Sequence, residues 1–374
     1  MRQVYLFALP LLLLFAPALA HKHLLHRADA DAAHTGAVEA AALTPDQAAL
    51  NLIQTRIREA RQLLDAQPAT PDDVVTLAVA AADAQSAPIQ FVQVPKAVFL
   101  QQDAQTPVKT NAGAQLKLQV VRANYVNTAV ALTDANGRAF EPLLVRYPVE
   151  KGGTLSEVAY YTSAHPALAQ AALVRAGGAY VARTLDAAAA QLAQQGIEIA
   201  PDVVDVAEHL AIVEHTDHKR FEREDHAALF AEIRTLYALN AGDTFRYSVS
   251  TAGAGGMIQM IPQTYADVRA HHPEVGLTAD FVTGMRDHAN AAKAMLLYMQ
   301  DTWDALQRSD EVKQALAAHT ATEADLLAAG YNSNPARLPA YLKRGGADWR
   351  TLIPAETKMY LRIYAAVDDL VDFS

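Results

Sequence analysis

Apolar positions recur at helical spacing from residue 44 onward. Thr44, Pro45, Asp46 and Gln47 read as a capping box with proline in the first turn. Leu50, Ile53, Ile57 and Leu64 then follow on one face. A second start, Thr70-Pro71-Asp72-Asp73, predicts an Ala/Val-rich helix to about Ala84. Residues 21–43 are small and polar and read as a loose leader, so 21–85 is a helical N-terminal region. After Pro88 the period changes to two. Leu116, Leu118 and Val120 point one way, and Gln115, Lys117 and Gln119 the other. Asn136-Gly137 is a hairpin turn signal. Residues 86–150 therefore form a small β-rich module.

Helical periodicity returns from Leu155 and persists to the end. Alanine-rich stretches at 165–176 and 179–195 precede a helix opened by Pro201 and Asp202. An amphipathic helix at about 222–239 carries Phe230, Ile233 and Tyr237 on one stripe, and long helices follow at about 286–307 and 356–370. The pattern predicts a mainly α, α+β chain. A helical region and a β-rich module precede a larger helical domain at 151–374.

Composition narrows the function. The 374 residues are 51% hydrophobic and 19% charged, a globular balance. A net charge of −10 gives no footing for nucleic acid or an anionic membrane surface, both of which need a basic patch. There are no cysteines, hence no thiolate nucleophile and no cysteine metal site. Residues 1–20, "MRQVYLFALPLLLLFAPALA", have an early Arg2, an apolar run to Phe15 and Ala18-Leu19-Ala20. They predict an export signal cleaved before His21, leaving no stable membrane span and a periplasmic or secreted chain.

Two stretches carry candidate chemistry. In "PDVVDVAEHLAIVEHTDHKRF", Val203, Ala207, Leu210 and Glu214 share a helix face that is apolar until Glu214. A carboxyl group at the end of such a stripe is partly desolvated, which raises its pKa toward that of a general acid. The bland alternative is a glutamate at a fraying helix end, turned to water. His215, Asp217 and His218 lie close by, but their spacing is not a His-Glu-x-x-His signature, and no metal is expected. The second stretch, "STAGAGGMIQMIP", spans Ser250 to Pro262. It lacks the Gly-Lys-Ser/Thr of a phosphate loop. Its glycines let a substrate or a second backbone approach closely. Gln259, between two methionines, needs a partner for its amide, and a sugar hydroxyl or N-acetyl group is one candidate.

This second stretch resembles, almost position for position, the Ser-x-Ala-Gly-Ala-x-Gly-Leu-Met-Gln-x-x-Pro element of lytic transglycosylases with a goose-lysozyme-like catalytic domain. "AAGYNSNPARL" (Ala328 to Leu338) is similar to that family's Ala-Tyr-Asn-Ala-Gly element, and "ETKMYLRIYAAV" (Glu356 to Val367) to its Glu-Thr-x-x-Tyr element. The three occur in the family's order. "LAIVEHTD" resembles the helix that ends in the family's catalytic glutamate. Two departures stand out. His215 follows the glutamate where the family usually has serine, and Glu214 and Ser250 are 36 positions apart (250 − 214) where the family usually has about ten.

The resemblance implies a lysozyme-like helical catalytic domain acting on peptidoglycan glycan strands. Glu214 would be the single acid, then base, and no metal or cofactor is implied. Tyr331 and Asn332 would orient the sugar, and Ser250, Gly256, Met257 and Gln259 would line the same groove. Glu208 is the rival acid. A hydrolase on the same scaffold would need a second carboxylate such as Asp243, Asp267 or Glu274 to hold a water. A non-catalytic wall-binding protein would follow if the long insertion had moved the acid out of the groove.

Overall fold

The structure, a computed structural model, describes residues 45–68, 71–83, 86–151, 154–162, 170–242, 244 and 252–373. The expected export signal and leader, and the candidates Ser250 and Asp243, lie outside the described residues. The first helix, α1 (Pro45–Asp65), packs Ile57, Ala60 and Leu64 against the sheet that follows.

That sheet starts earlier than the alternation suggests. Residues expected to form a second helix are strand β1 (Val74–Ala81). Its sequence, "VVTLAVAA", is buried on both faces, so no polar positions mark the period of two. Its alanines gave it a helical look that tertiary packing overrides. The other strands are β2 (Gln90–Pro95), β3 (Gln105–Lys109), β4 (Gln115–Arg122), β5 (Ala129–Asp134), β6 (Ala139–Lys151) and β7 (Thr154–Tyr161), with a single helical turn α2 (Lys96–Phe99) after β2. All pairings are antiparallel, in the order β2-β1-β6-β5-β4-β3. β7 pairs with the far half of the long β6. The outermost strands approach where Asn111 N–H donates to Phe91 O at 3.0 Å and Asn111 Oδ1 accepts from Phe91 N–H at 2.9 Å. In β4 the expected alternation holds, with Leu116, Leu118 and Val120 buried. The Asn136-Gly137 turn joins β5 to β6, with Gly137 at φ +81°. The β4–β5 register shifts between Val120 and Arg122, a bulge that turns Arg122 toward the helices.

The helices that follow are α3 (Ala171–Gln194), α4 (Pro201–Val213), α5 (His218–Phe221), α6 (His226–Leu239), α7 (Pro262–His271), α8 (Phe281–Arg286), α9 (His288–Leu306), α10 (Asp310–Ala317), α11 (Glu323–Asn332), α12 (Leu338–Gly345) and α13 (Ala355–Leu370). α3 runs unbroken through Gly177 and Gly178, where two alanine-rich pieces were expected. The glycines serve packing. A Cβ on Gly177 would lie 1.8 Å from the carbonyl oxygen of Arg234 in α6, so the two helices touch backbone to backbone.

One apolar cluster joins Leu118 and Val130 of the sheet to Leu185 of α3, Leu210 of α4, Phe230 of α6 and Ile363 of α13. The chain is thus a mixed α+β protein, mostly helical. Among the described residues no helix is long and apolar enough to cross a membrane.

Candidate active site

Pro201 starts α4, and Val203, Ala207 and Leu210 carry its apolar stripe to the C-cap residue Glu214. The glutamate does not fray into water. Tyr360 Oη of α13 donates to Glu214 Oε1 at 2.6 Å. Burial pushes the Glu214 carboxyl from the usual 4.5 up to about 8. The Tyr360 hydrogen bond pulls it partly back, and the neighbouring Glu356 charge adds to the rise. Glu214 therefore carries a proton at neutral pH. Tyr360, itself held well above the usual tyrosine value by burial, stays a donor. With Oε1 accepting from Tyr360, the acid's own proton is left to Oε2.

Glu214 lines a cleft of about 980 Å³ with Gln259, Tyr331 and Asn332. Tyr298 and Thr302 of α9 and Asp267 of α7 line the same cleft. Three segments far apart in sequence therefore converge on one carboxyl group: the end of α4, the glycine-rich turn and the end of α11.

The glycine-rich turn is held by its backbone. Gly255 pairs with Met260, its N–H donating to Met260 O at 3.2 Å. Gly256 has φ +73°, and a Cβ there would sit 2.3 Å from Met285 O, so only glycine fits. Gln259 is also left-handed, at φ +48°, a rare state for a side-chain-bearing residue. Its Nε2 donates to Gly256 O at 3.0 Å, so the amide's donor is satisfied inside its own turn.

The Met257 and Ile258 carbonyls are held by side chains from other elements. His215 Nε2 donates to Met257 O at 2.9 Å, and burial lowers the ring's pKa to about 4, so the ring is neutral with its proton on Nε2. Tyr237 Oη lies 2.8 Å from Met257 O and 2.7 Å from Ala211 O, sharing its proton between α4 and the turn. Tyr331 Oη donates to Ile258 O at 2.8 Å.

The segment between Glu214 and the glycine-rich turn holds α5 and α6, and α6 reaches the turn through Tyr237. Glu214 lines the cleft, and His215 links the end of α4 to the turn.

α13 supplies two further supports one helical turn apart. Tyr360 holds the acid, and Thr357 Oγ1 donates to Asn332 Oδ1 at 2.9 Å. Asn332 is thereby fixed at the cleft's edge.

The expected groove residues divide. Gln259, Tyr331 and Asn332 line the cleft. Met257 does not. It is fully buried in the core and contributes its carbonyl, and Gly256 contributes a close backbone approach to Met285. The rival Glu208 is buried in α4 away from the cleft lining. Glu274 faces His272 rather than the cleft. Asp217 caps α5 through Lys219 and Arg220 N–H. Among the described residues no group of three or more His, Asp or Glu is placed to hold a metal. Four contributors escaped the reading of the sequence: Tyr360, Thr357, Tyr298 and the carbonyl-binding His215. Tyr360 and Thr357 were signalled by the Glu-Thr-x-x-Tyr segment, whose spacing puts them on one face of a helix. Tyr298 had no signal, since an aromatic in a long amphipathic helix reads as core.

The geometry defines a cleft built around one protonated carboxyl group and lined with hydrogen-bonding side chains. Compared with known proteins, the chain matches no family model, no curated protein and no solved structure.

Proposed function

We propose that the chain is a peptidoglycan lytic transglycosylase, with the helical part that follows β7 as a lysozyme-like catalytic domain, working as an exported, periplasmic or secreted enzyme. One observation carries this reading. Glu214, at the end of an apolar helix and with its pKa at about 8, meets two of the segments that resemble the family's motifs in a single cleft and accepts a hydrogen bond from Tyr360 of the third.

The chemistry balances with that one carboxyl. Protonated Glu214 gives its proton to the oxygen linking N-acetylmuramic acid to N-acetylglucosamine, and the C1–O bond breaks. The sugar's own 2-acetamido oxygen closes on C1, which removes the need for a second enzyme carboxylate. Glu214, now a carboxylate, takes the proton of the C6 hydroxyl. O6 then attacks C1, the acetamido oxygen leaves, and a 1,6-anhydro ring forms. Tyr360 keeps the acid oriented throughout, and Asn332 and Gln259 stand where sugar hydroxyls can be bound.

The test is to digest purified sacculi with the mature chain and with Glu214→Gln, and to identify the released muropeptides by mass spectrometry. Anhydro-muropeptides from the wild type alone are expected. A second reading, hydrolysis, draws on Asp267, which lines the same cleft. Reducing-end products that vanish in Asp267→Asn would select it. Absence of any product would remove both.

A further inference from the structure

The cleft has two ends of different chemistry. At one, Glu214, Gln259 and Tyr331 meet Tyr298 of α9, whose ring packs edge-on against Tyr331 with centroids 5.7 Å apart. The other end lies between α7 and α9. Asp267, Val268 and His271 share one face of α7, and Tyr298, Asp301 and Ala305 share one face of α9. Both faces line the cleft. Asp267 is five residues past Pro262 (267 − 262), which carries it about 7.5 Å along the helix axis from the turn that holds Gln259.

Each carboxylate of this end is held by one oxygen. Gln263 Nε2 donates to Asp267 Oδ1 at 2.9 Å, and His272 Nε2 lies 2.9 Å from Asp301 Oδ2. Asp267 Oδ2 and Asp301 Oδ1 are left to accept from a ligand. Among the described residues no lysine or arginine lines the cleft. Arg269 of α7 turns instead to the Leu277 and Ala279 carbonyls. The basic groups beside the pair are imidazoles: His272, and His271, whose Nδ1 lies 2.9 Å from Asp267 O.

A second, independent feature marks the cleft as built for a ligand. Gln259 is 8% exposed, and its Nε2 is taken by Gly256 O. Its Oε1 has no partner among the described residues, while the side chain lines the cleft. A buried amide oxygen left open requires a donor from outside the protein. The cleft thus presents open acceptors at both ends. Hydroxyl and acetamido N–H groups of a sugar satisfy Gln259. A carboxylate selects a charged donor over a neutral one, because the charge-assisted bond is the stronger.

We propose that the α7–α9 end of the cleft receives a primary ammonium group carried by the glycan strand, with Asp267 and Asp301 as its specificity-determining residues. The inference rests on the reading that the chain cuts glycan strands, and it names which strands are favoured. A strand carries such a group in two places: on a diamino acid of the stem peptide, or at C2 of a glucosamine that has lost its acetyl group. The same carboxylates repel a muramic acid whose lactyl carboxylate is bare, since like charges in one cleft select against a ligand.

The test uses the full mature chain, the double variant Asp267→Asn/Asp301→Asn and three sets of otherwise identical short strands. The first set carries stem peptides with a free side-chain amine. The second carries the same peptides with that amine acetylated. The third carries the acetylated peptides and one de-N-acetylated glucosamine. The readout is the ratio of kcat/KM between sets mixed in one reaction. The wild type is expected to favour an amine-bearing set over the second by about threefold to tenfold, the effect of two partly exposed ion pairs. Preference for the first set assigns the stem peptide, and preference for the third assigns the sugar amine. The margin should shrink with rising ionic strength and vanish in the double variant, whose changes are both at exposed positions. Equal rates on all three sets, or a margin that survives in the double variant, would overturn the ammonium site and leave the function standing.

Titration of the same strands onto Glu214→Gln separates the two readings. If the wild type cuts nothing but Glu214→Gln binds an amine-bearing set more tightly, and the added double change removes that margin, the ammonium site stands and the proposed chemistry fails. If the wild type cuts nothing and Glu214→Gln binds the three sets alike, both fail.

Discussion

At Glu214 two forces act on one proton. Burial alone favours the neutral acid, and the Tyr360 hydrogen bond alone favours the carboxylate. Burial wins, and the result is about 8. A general acid in this state works while protonated, so activity should hold through neutral pH and fall as pH passes about 8. The stability consequence has a definite sign. The group binds its proton more tightly folded than unfolded, so its contribution is fully present below 4.5 and is lost as pH rises through about 8. Glu214→Gln, which never ionises, should therefore gain thermal stability relative to wild type as pH goes from 5 to 8.5, and melting curves at the two pH values would check this. Its turnover should fall by at least about 100-fold, the lower end of what a positioned acid supplies.

Tyr360→Phe tests the opposing force. Without that hydrogen bond the carboxylate is less favoured, so the alkaline limb of a pH–rate profile should move upward. The carboxyl also loses its orientation, and kcat should drop by about tenfold, since the lost hydrogen bond to the acid is worth about 1–1.5 kcal/mol. A limb that stayed in place would mean that Tyr360 does not tune the acid.

Among the elements, the turn at 255–260 and the face of α13 form the frame of the site. The turn places Gln259 in the cleft only because its carbonyls are claimed by residues from three other elements: His215 after α4, Tyr237 of α6 and Tyr331 of α11. It also requires Gly256. Alanine there would need a left-handed backbone and would drive its Cβ into Met285 O, so Gly256→Ala should cost about 2–4 kcal/mol in a denaturant titration. Activity should fall with it, because Gln259 and Ile258 move when the turn does. A variant with full stability would show that the turn can shift at little cost.

Over the whole molecule, the sheet and the helices are tied by Arg122, Glu232 and Arg220. Glu232, with a side chain 11% exposed, accepts from both arginines, which are 22% and 23% exposed. Removing the shared acceptor leaves two partly buried guanidinium groups facing each other. Full burial would make that loss about 3–5 kcal/mol, and the residual water contact here reduces it to about 2 kcal/mol. Glu232→Ala should show that loss in urea, and a double-mutant cycle with Arg122→Ala should give a coupling of about 0.5–3 kcal/mol. Additive effects would mean that the network does not join the two parts.

The sequence by itself determined whatever depends on neighbours along the chain. The period of β4, the Asn136-Gly137 turn, the helices at the C-terminal end and the apolar stripe ending at Glu214 follow from spacing and local sterics. The three motif-like segments could likewise be picked out by residue type and order. Tertiary structure decided the rest. β1 reads as a helix because strands buried on both faces carry no alternation, and only its place between β2 and β6 makes it a strand. Met257 was expected in the groove from the motif-like segment that holds it, and packing sent its side chain inward. The protonation of Glu214 depends on burial and is tuned by Tyr360 and Glu356 of α13, Tyr360 lying 146 residues further along the chain. A pKa, a cleft and a buried ion network are properties of what surrounds a residue in space, and that environment is fixed only once the core has formed.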